Sequence, residues 1–237
     1  MEALSSFELH NYAFEIRYPN AYRIWDEAGR IATQLQEGVK DLVLTKGEPS
    51  LLTFVLNNSI TVEVRIDRLN VTEHYPKVDF GKNTRDLQYV FDVVSDVLRI
   101  AQITRLGTKV EYRKEFKNKS EMAGFFVDFN VISSVSGKNF NVESELVFPT
   151  IHIQVEDKEL GYHFRLTPKN ERVQLSVGPG VREIENVDKE KIYVALEVDL
   201  YTVKEMERSG LRVSDWMDTV ARVVRRDVDK ILSKLGS

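Results

Sequence analysis

A strict alternation of side chains over residues 104–116, TRLGTKVEYRKEF, limits what this chain can fold into. One parity carries uncharged, mostly apolar side chains and the other carries charges: Leu106, Thr108, Val110, Tyr112 and Phe116 against Arg105, Lys109, Glu111, Arg113 and Glu115. Successive side chains of a β-strand point to opposite faces of its sheet. The segment therefore predicts a strand with one face on a hydrophobic core and the other on a charged surface.

Other segments of the chain have the period of a helix or the composition of a strand. Apolar residues recur at helical spacing over 21–38, 84–103 and 214–235. Strands are predicted over 12–18, 41–45, 51–56, 61–71, 140–148, 151–156, 162–166, 172–177 and 193–202. Short polar turns between neighbouring strands are typical of antiparallel pairing. The order predicts an α+β protein with mostly antiparallel sheet.

The two halves of the chain resemble each other on either side of a polar break at residues 117–120. The stretch LLTFVLNNSITVEVRI predicts a hairpin, and GYHFRLTPKNERVQLSV repeats its apolar spacing in the second half. We interpret residues 1–118 and 119–237 as two similar units, each a mostly antiparallel sheet packed against a long amphipathic helix. A duplication, with both units fused into one domain, and a chance likeness of two generic hairpins both fit this pattern.

Charge balance and the lack of cysteine exclude several classes of protein. The chain has 33 Lys and Arg against 37 Asp and Glu, a net charge of −4, whereas nucleic-acid binders usually carry a basic excess. This balance argues against nucleic acid and anionic membranes as partners. The absence of cysteine excludes disulfides and thiolate metal sites and fits a reducing compartment. No apolar run is long enough to cross a bilayer, so we expect a cytoplasmic protein without a membrane segment.

Histidines are the first candidates for chemistry. His152 and His163 fall on neighbouring predicted strands, where they would form a metal pair with Glu156 or Glu143. The alternation of apolar residues around His152 turns its side chain to water instead. We expect no metal, no cofactor and no catalytic residue.

Acidic residues on the predicted strands are the second candidates for chemistry, namely Glu63, Asp67, Glu111, Glu197 and Asp199. A pair of them would hold Mg²⁺ or act as acid and base, which is the chemistry of a metal-dependent hydrolase or nuclease. Basic residues such as Arg65, Lys109 and Arg113 occupy strands of the same kind. Opposite charges facing each other across strands complete an exposed sheet face, and we favour that interpretation.

Aromatic and arginine side chains at the edges of apolar stripes are typical of protein interfaces. The candidate partner-binding residues are Trp25, Arg105, Arg113, Trp216, Arg222, Arg225 and Arg226. We predict a non-catalytic protein-interaction or self-assembly protein whose partner is a second copy, as a homodimer, or another protein. The alternatives are the hydrolase described above and a small-molecule binding protein with a cleft between the two units. We also predict that the apolar flank of the helix over 214–235 is covered by the first half or by a second copy.

Four stretches spread over nearly the whole chain are YAFEIRYPNAYRIWDEAGRI, RIAQITRLGTKVEYR, VALEVDLYTV and SDWMDTVARVVRRDVDKIL. Together they resemble a sporadically distributed family of uncharacterised bacterial proteins. In that family the second stretch has an Arg-x-Gly-x-x-Tyr pattern, which Arg105, Gly107 and Tyr112 resemble with the tyrosine displaced by two residues. The family's closing helix usually contains His and ends in Phe, where this chain has Trp216 and Arg225-Arg226. The resemblance implies no activity and supports a bacterial, cytoplasmic protein.

Overall fold

The computed structural model describes residues 4–76, 83–128, 150–173 and 189–235, so the predicted strand over 140–148 and Glu143 lie outside the described residues. The described residues form four α-helices and eleven strands. In chain order they are β1 (Glu8–Arg17), α1 (Ile24–Gly38), β2 (Leu42–Glu48), β3 (Leu51–Leu56), β4 (Ile60–Arg65), β5 (Arg68–His74), α2 (Thr84–Leu98), β6 (Gln102–Ile103), β7 (Arg105–Phe116), α3 (Lys119–Asp128), β8 (Ile151–Glu156), β9 (Leu160–Val173), β10 (Lys189–Thr202), β11 (Met206–Glu207) and α4 (Val213–Leu235).

One large antiparallel sheet dominates the described part of the chain. Its nine strands run in the order β2-β3-β4-β5-β1-β7-β10-β9-β8, and each neighbouring pair is antiparallel. A second, two-stranded sheet joins β6 and β11. The predicted α+β class with antiparallel sheet is confirmed. The large sheet is continuous across residue 118, because β7 pairs with β10.

The helices cover one face of this sheet. Buried residues from all four helices join one hydrophobic cluster with the inward residues of the strands, such as Phe14, Val110 and Leu196. The other face, which we call the outer face, carries the alternate and mostly charged residues of β4, β5, β1, β7, β10, β9 and β8. The prediction for residues 104–116 is confirmed, since Val110 is fully buried while Lys109 is exposed. No helix in the described residues is both long enough and apolar enough to cross a membrane.

Two predicted elements in the first half have different bounds in the structure. The strand predicted over 61–71 is wrong, because the chain turns at Ile66 and Asp67 and returns as β5, paired with β4. The carbonyls of this turn accept hydrogen bonds from the backbone of Tyr18 and Ala21 at 3.0 and 2.7 Å. The helix predicted over 84–103 ends at Leu98, because Arg99 adopts a left-handed conformation with φ of 56°.

The hairpin predicted in the second half is also wrong. Residues 160–173 form the single strand β9, and the stretch Thr167-Pro168-Lys169-Asn170, predicted as a turn, pairs with β10 throughout. Proline lacks the N–H that a central strand needs and is tolerated at a sheet edge. The pairing with β8 begins at Leu166, so that beyond this point β9 has a described neighbour on one side only. The hairpin likeness between the two halves is thereby removed.

The closing helix α4 agrees with the prediction, and its flank is covered within the chain itself. Trp216 and Val223 are buried, and α4 contacts α2. The side-chain oxygen of Gln88 on α2 accepts a hydrogen bond of 2.8 Å from the backbone N–H of Val213. This hydrogen bond gives a partner to the first backbone N–H of α4. Of the two predicted possibilities, the structure shows the first: the flank of α4 is covered by the first half of the chain.

Candidate functional site

The outer face of the sheet gathers most of the residues that the sequence marks as chemically active. At one end, Glu15 on β1 lies at the centre of three arginines. Its carboxylate oxygens are 2.6 Å from Arg17 Nε, 3.2 Å from Arg68 Nη1 and 3.2 Å from Arg105 Nη1. These residues meet because β5, β1 and β7 are adjacent strands in register. The Glu15 carboxylate thus joins three strands through charge-assisted hydrogen bonds.

Beside this centre, Arg105 lies over an aromatic ring. Its guanidinium carbon is 4.5 Å from the centre of the Tyr201 ring, and its Nη2 is 3.2 Å from the Asp199 carboxylate. The Tyr201 hydroxyl donates a hydrogen bond of 2.5 Å to Glu156 on β8. Burial, and then this hydrogen bond, raise the pKa of the Tyr201 phenol. The ring also packs on Gly161, where a Cβ would lie 2.3 Å from a ring carbon.

The same arrangement recurs further along β7 and β10. The guanidinium carbon of Arg113 is 4.3 Å from the centre of the Tyr193 ring, and Arg113 Nε is 2.6 Å from Glu111. The Tyr193 hydroxyl donates to the Glu171 carboxylate on β9. Tyr193 is only 3% exposed although it lies on the outer face. Burial, followed by the hydrogen bond to Glu171, raises the pKa of Tyr193. Both cation–π contacts hold an arginine and a tyrosine in fixed positions.

All five candidate carboxylates have a basic partner within hydrogen-bonding distance. The ion pairs are Glu63–Arg65 at 3.2 Å, Asp67–Arg68 at 2.8 Å, Glu111–Arg113 at 2.6 Å, Glu197–Lys109 at 3.0 Å and Asp199–Arg105 at 3.2 Å. A cation at this distance competes with a divalent metal for the carboxylate oxygens. Two of these pairs, Glu197–Lys109 and Asp199–Arg105, join β10 to β7, and the other three join residues one or two positions apart in the chain. The arrangement balances the charges of the outer face.

The two candidate histidines do meet across β8 and β9. The His152 and His163 ring centres are 5.7 Å apart, and His163 Nε2 is 3.4 Å from the Tyr201 hydroxyl. His152 is exposed to water, as the alternation predicts. The Glu156 carboxylate, a proposed third ligand, instead accepts the hydrogen bond from Tyr201. Within the described residues, no three or more His, Cys, Asp or Glu side chains are placed to hold one metal ion.

At the far end of the outer face, a β-bulge between Leu9 and Asn11 changes the direction of His10. The His10 ring packs edge-on against Tyr75, with ring centres 4.4 Å apart. Burial, and then the nearby Arg113, lower the pKa of His10. Neither residue was predicted as part of a site, because the strand was predicted to begin at Tyr12. The two are brought together by the pairing of β1 with β5, for which the local sequence has no signal.

The predicted partner-binding residues are divided among four environments. Arg105 and Arg113 lie on the outer face in the ion pairs described above. Trp25 on α1 is 56% exposed and packs edge-on against Tyr22. The exposed side of α4 carries Arg222, Arg225 and Arg226. Trp216 differs, since it is buried and its Nε1 donates to Thr108 Oγ1 at 2.8 Å. A buried, hydrogen-bonded indole packs in the core, so that Trp216 offers little surface to a partner.

Comparisons with protein-family models and with curated proteins find no match to this chain. The resemblance to a sporadic bacterial family stays a prediction.

Proposed function

We propose that this chain is a non-catalytic interaction protein that binds a protein partner through the outer face of its sheet, and that a second copy of the chain is this partner. The observation that carries the proposal is the set of ion pairs on that face. Every carboxylate that the sequence offers for catalysis there has a cation within 3.2 Å.

The charge pattern of the outer face supports self-association. Acidic and basic side chains alternate across it, as in Lys109 beside Glu197 and Arg165 within 3.8 Å of the same carboxylate. A two-fold dimer places the same patch of both subunits face to face. A patch of a single sign would repel its own copy, whereas a patch of mixed sign can meet opposite charges after a two-fold rotation.

Sedimentation velocity at micromolar concentration tests this proposal with a matched pair of charge reversals. Lys109→Glu changes the outer face at a side chain that is 47% exposed. Arg222→Glu makes the same change on the exposed side of α4, on the other side of the sheet. We expect the wild type and Arg222→Glu to sediment as dimers and Lys109→Glu as a monomer with an unchanged circular dichroism spectrum. A monomeric wild type, or a dimer that only Arg222→Glu dissociates, would overturn the proposal.

We further propose that the chain arose by duplication of a unit whose two copies begin at β1 and at β7, so that the boundary between the duplicated halves lies before Arg105 and not at residue 118. Each of these strands is followed by a helix, then by antiparallel strands, then by a helix, α2 in one half and α4 in the other. The two strands are antiparallel neighbours inside the sheet, as a pseudo-two-fold relation requires. Alignment of the two halves over many homologous sequences tests this. A significant match that paired β1 with any strand other than β7 would contradict it.

We also propose a cytoplasmic location, which the complete absence of cysteine supports. Fractionation of cells that produce the protein tests this location. Recovery of the protein outside the cytoplasmic fraction would contradict the proposal.

A further inference from the structure

A polar cavity of about 580 Å³ opens at the end of the outer face where His10 lies. Its lining includes Glu8, His10, Tyr75, Arg113, Glu115 and Lys191. The volume is in the range typical of small-molecule sites. Most of the lining comes from β1, the end of β5 and β7, with Lys191 from β10, so the cavity is not a cleft between the two predicted units.

Two backbone irregularities meet at this cavity. The β-bulge between Leu9 and Asn11 lies in β1, and bulges are enriched next to functional sites, where they re-aim a side chain. Tyr75 adopts φ of 52°, a left-handed conformation that bulky residues rarely take. The Tyr75 backbone N–H donates a hydrogen bond of 2.7 Å to the His10 carbonyl, which holds the conformation in place. The strain fixes an aromatic ring that is still 69% exposed at the mouth of the cavity.

The charges that line the cavity differ from those on the rest of the outer face. Within the described part of the chain, Glu8, Glu115 and Lys191 have no oppositely charged partner within 4.0 Å. Elsewhere on the face the carboxylates are engaged by neighbouring cations. This end therefore offers carboxylates and an ammonium group to a ligand that carries the complementary charges.

We propose that this cavity binds a small zwitterionic molecule with an aromatic or planar group, of which an aromatic amino acid is the simplest example. The ligand's ammonium group contacts Glu8 or Glu115, its carboxylate contacts Lys191, and its ring packs on Tyr75. This binding is additional to association through the outer face, and the two are tested independently.

Isothermal titration calorimetry with three related probes tests the charge requirement. L-Phenylalanine carries both charges, 3-phenylpropanoate only the carboxylate, and 2-phenylethylamine only the ammonium group. Because an exposed ion pair contributes up to about five-fold in affinity, we expect L-phenylalanine to bind about five-fold more tightly than either single-charge probe. Lack of binding of all three at millimolar concentration, or equal affinity for all three, would overturn the proposal.

Variants test the location of the site. Lys191→Met should weaken L-phenylalanine and 3-phenylpropanoate about five-fold and leave 2-phenylethylamine unchanged. Lys158→Met, in the turn between β8 and β9, is the matched control and should change none of them. Tyr75→Asn keeps a residue that tolerates the left-handed conformation and removes the ring. It should weaken all three probes without lowering the melting temperature. Unchanged binding in both Lys191→Met and Tyr75→Asn would refute the site.

Discussion

The buried hydrogen bond from Trp216 to Thr108 ties the closing helix to an interior strand of the sheet. The distance from Nε1 to Oγ1 is 2.8 Å, and the two residues are 7% and 1% exposed. Substitution of Thr108 by Val keeps the shape of the side chain and removes the acceptor oxygen. The indole N–H is then left without a partner at a place where water has little access.

The expected cost follows from the burial of both groups. A typical hydrogen bond contributes about 0.5–1.5 kcal/mol, and an unsatisfied buried donor costs about 1–3 kcal/mol. We expect Thr108→Val to lower the free energy of unfolding by about 1–3 kcal/mol. In a Trp216→Phe background the donor is already absent, so the same substitution should cost much less. The two changes should therefore couple by about 1 kcal/mol in a double-mutant cycle.

Urea unfolding followed by circular dichroism measures this cycle. The matched control is Thr219→Val. The Thr219 hydroxyl donates a hydrogen bond of 2.8 Å to the Asp215 carbonyl on the exposed side of α4. We therefore expect the free energy of unfolding of this variant to change by no more than about 0.5 kcal/mol. Since the chain has two tryptophans, Trp25→Phe leaves Trp216 as the sole tryptophan. We expect its fluorescence, excited at a wavelength that tyrosine does not absorb, to be blue-shifted and only weakly quenched by iodide. Strictly additive effects, or equal costs at Thr108 and Thr219, would refute the reasoning.

The facing of β7, the contact on β9 and one ion pair give three further expectations. Val110 is fully buried, so Val110→Asp should lower the free energy of unfolding by about 3 kcal/mol or more, against about 1 kcal/mol or less for Glu111→Ala. If chemical denaturation gave the opposite order, the assignment of Val110 to the buried face of β7 would be wrong. Gly161→Ala places a Cβ 2.3 Å from the Tyr201 ring. The variant should therefore have a lower melting temperature and shifted Tyr201 ring signals in NMR spectra. An unchanged spectrum would contradict the contact. The hydrogen bond from the neighbouring arginine side chain lowers the pKa of Asp67 below its usual 3.8; its stabilisation is therefore complete above the unfolded-state pKa and is lost as pH falls through the folded-state pKa. Asp67→Asn should flatten the acid limb of the melting-temperature profile, and an unaltered limb would show that the pair contributes nothing.

Local periodicity was enough to predict the elements in which both faces differ strongly in polarity. Residues 104–116 alternate charged and apolar side chains, and the structure buries them accordingly. The closing helix α4 begins and ends where its apolar stripe does. In both cases the apolar side chains recur with the period of the backbone structure. The buried face of the element could therefore be predicted without knowledge of the elements that pack against it.

Elements whose form depends on distant neighbours could not be predicted in the same way. The turn at Ile66 and Asp67 lacks Gly and Pro, and its carbonyls are satisfied by a chain segment about fifty residues earlier. Pro168 looks like a turn residue, yet it lies in β9 where that strand has a described neighbour on one side only. Trp216 lies on the flank of the α4 stripe, and this flank is buried by α2 and by a strand distant in the sequence, which supplies Thr108 as hydrogen-bond partner.

The order of the outer face bears on whether it is a working surface or only a solvated one. A solvated face needs no more than long, mobile cations, whereas here Arg105 and Arg113 lie over tyrosine rings and have side-chain exposures of 26% and 21%. Immobilising a long side chain on binding costs about 0.5–1.5 kcal/mol. For these two arginines, part of this loss of side-chain entropy already occurs when the chain folds. Binding of a partner would then cost less side-chain entropy at these two positions. A pre-organised polar face of this kind favours recognition of a partner of fixed shape, which is why the proposed protein association uses the outer face and not the more exposed arginines of α4.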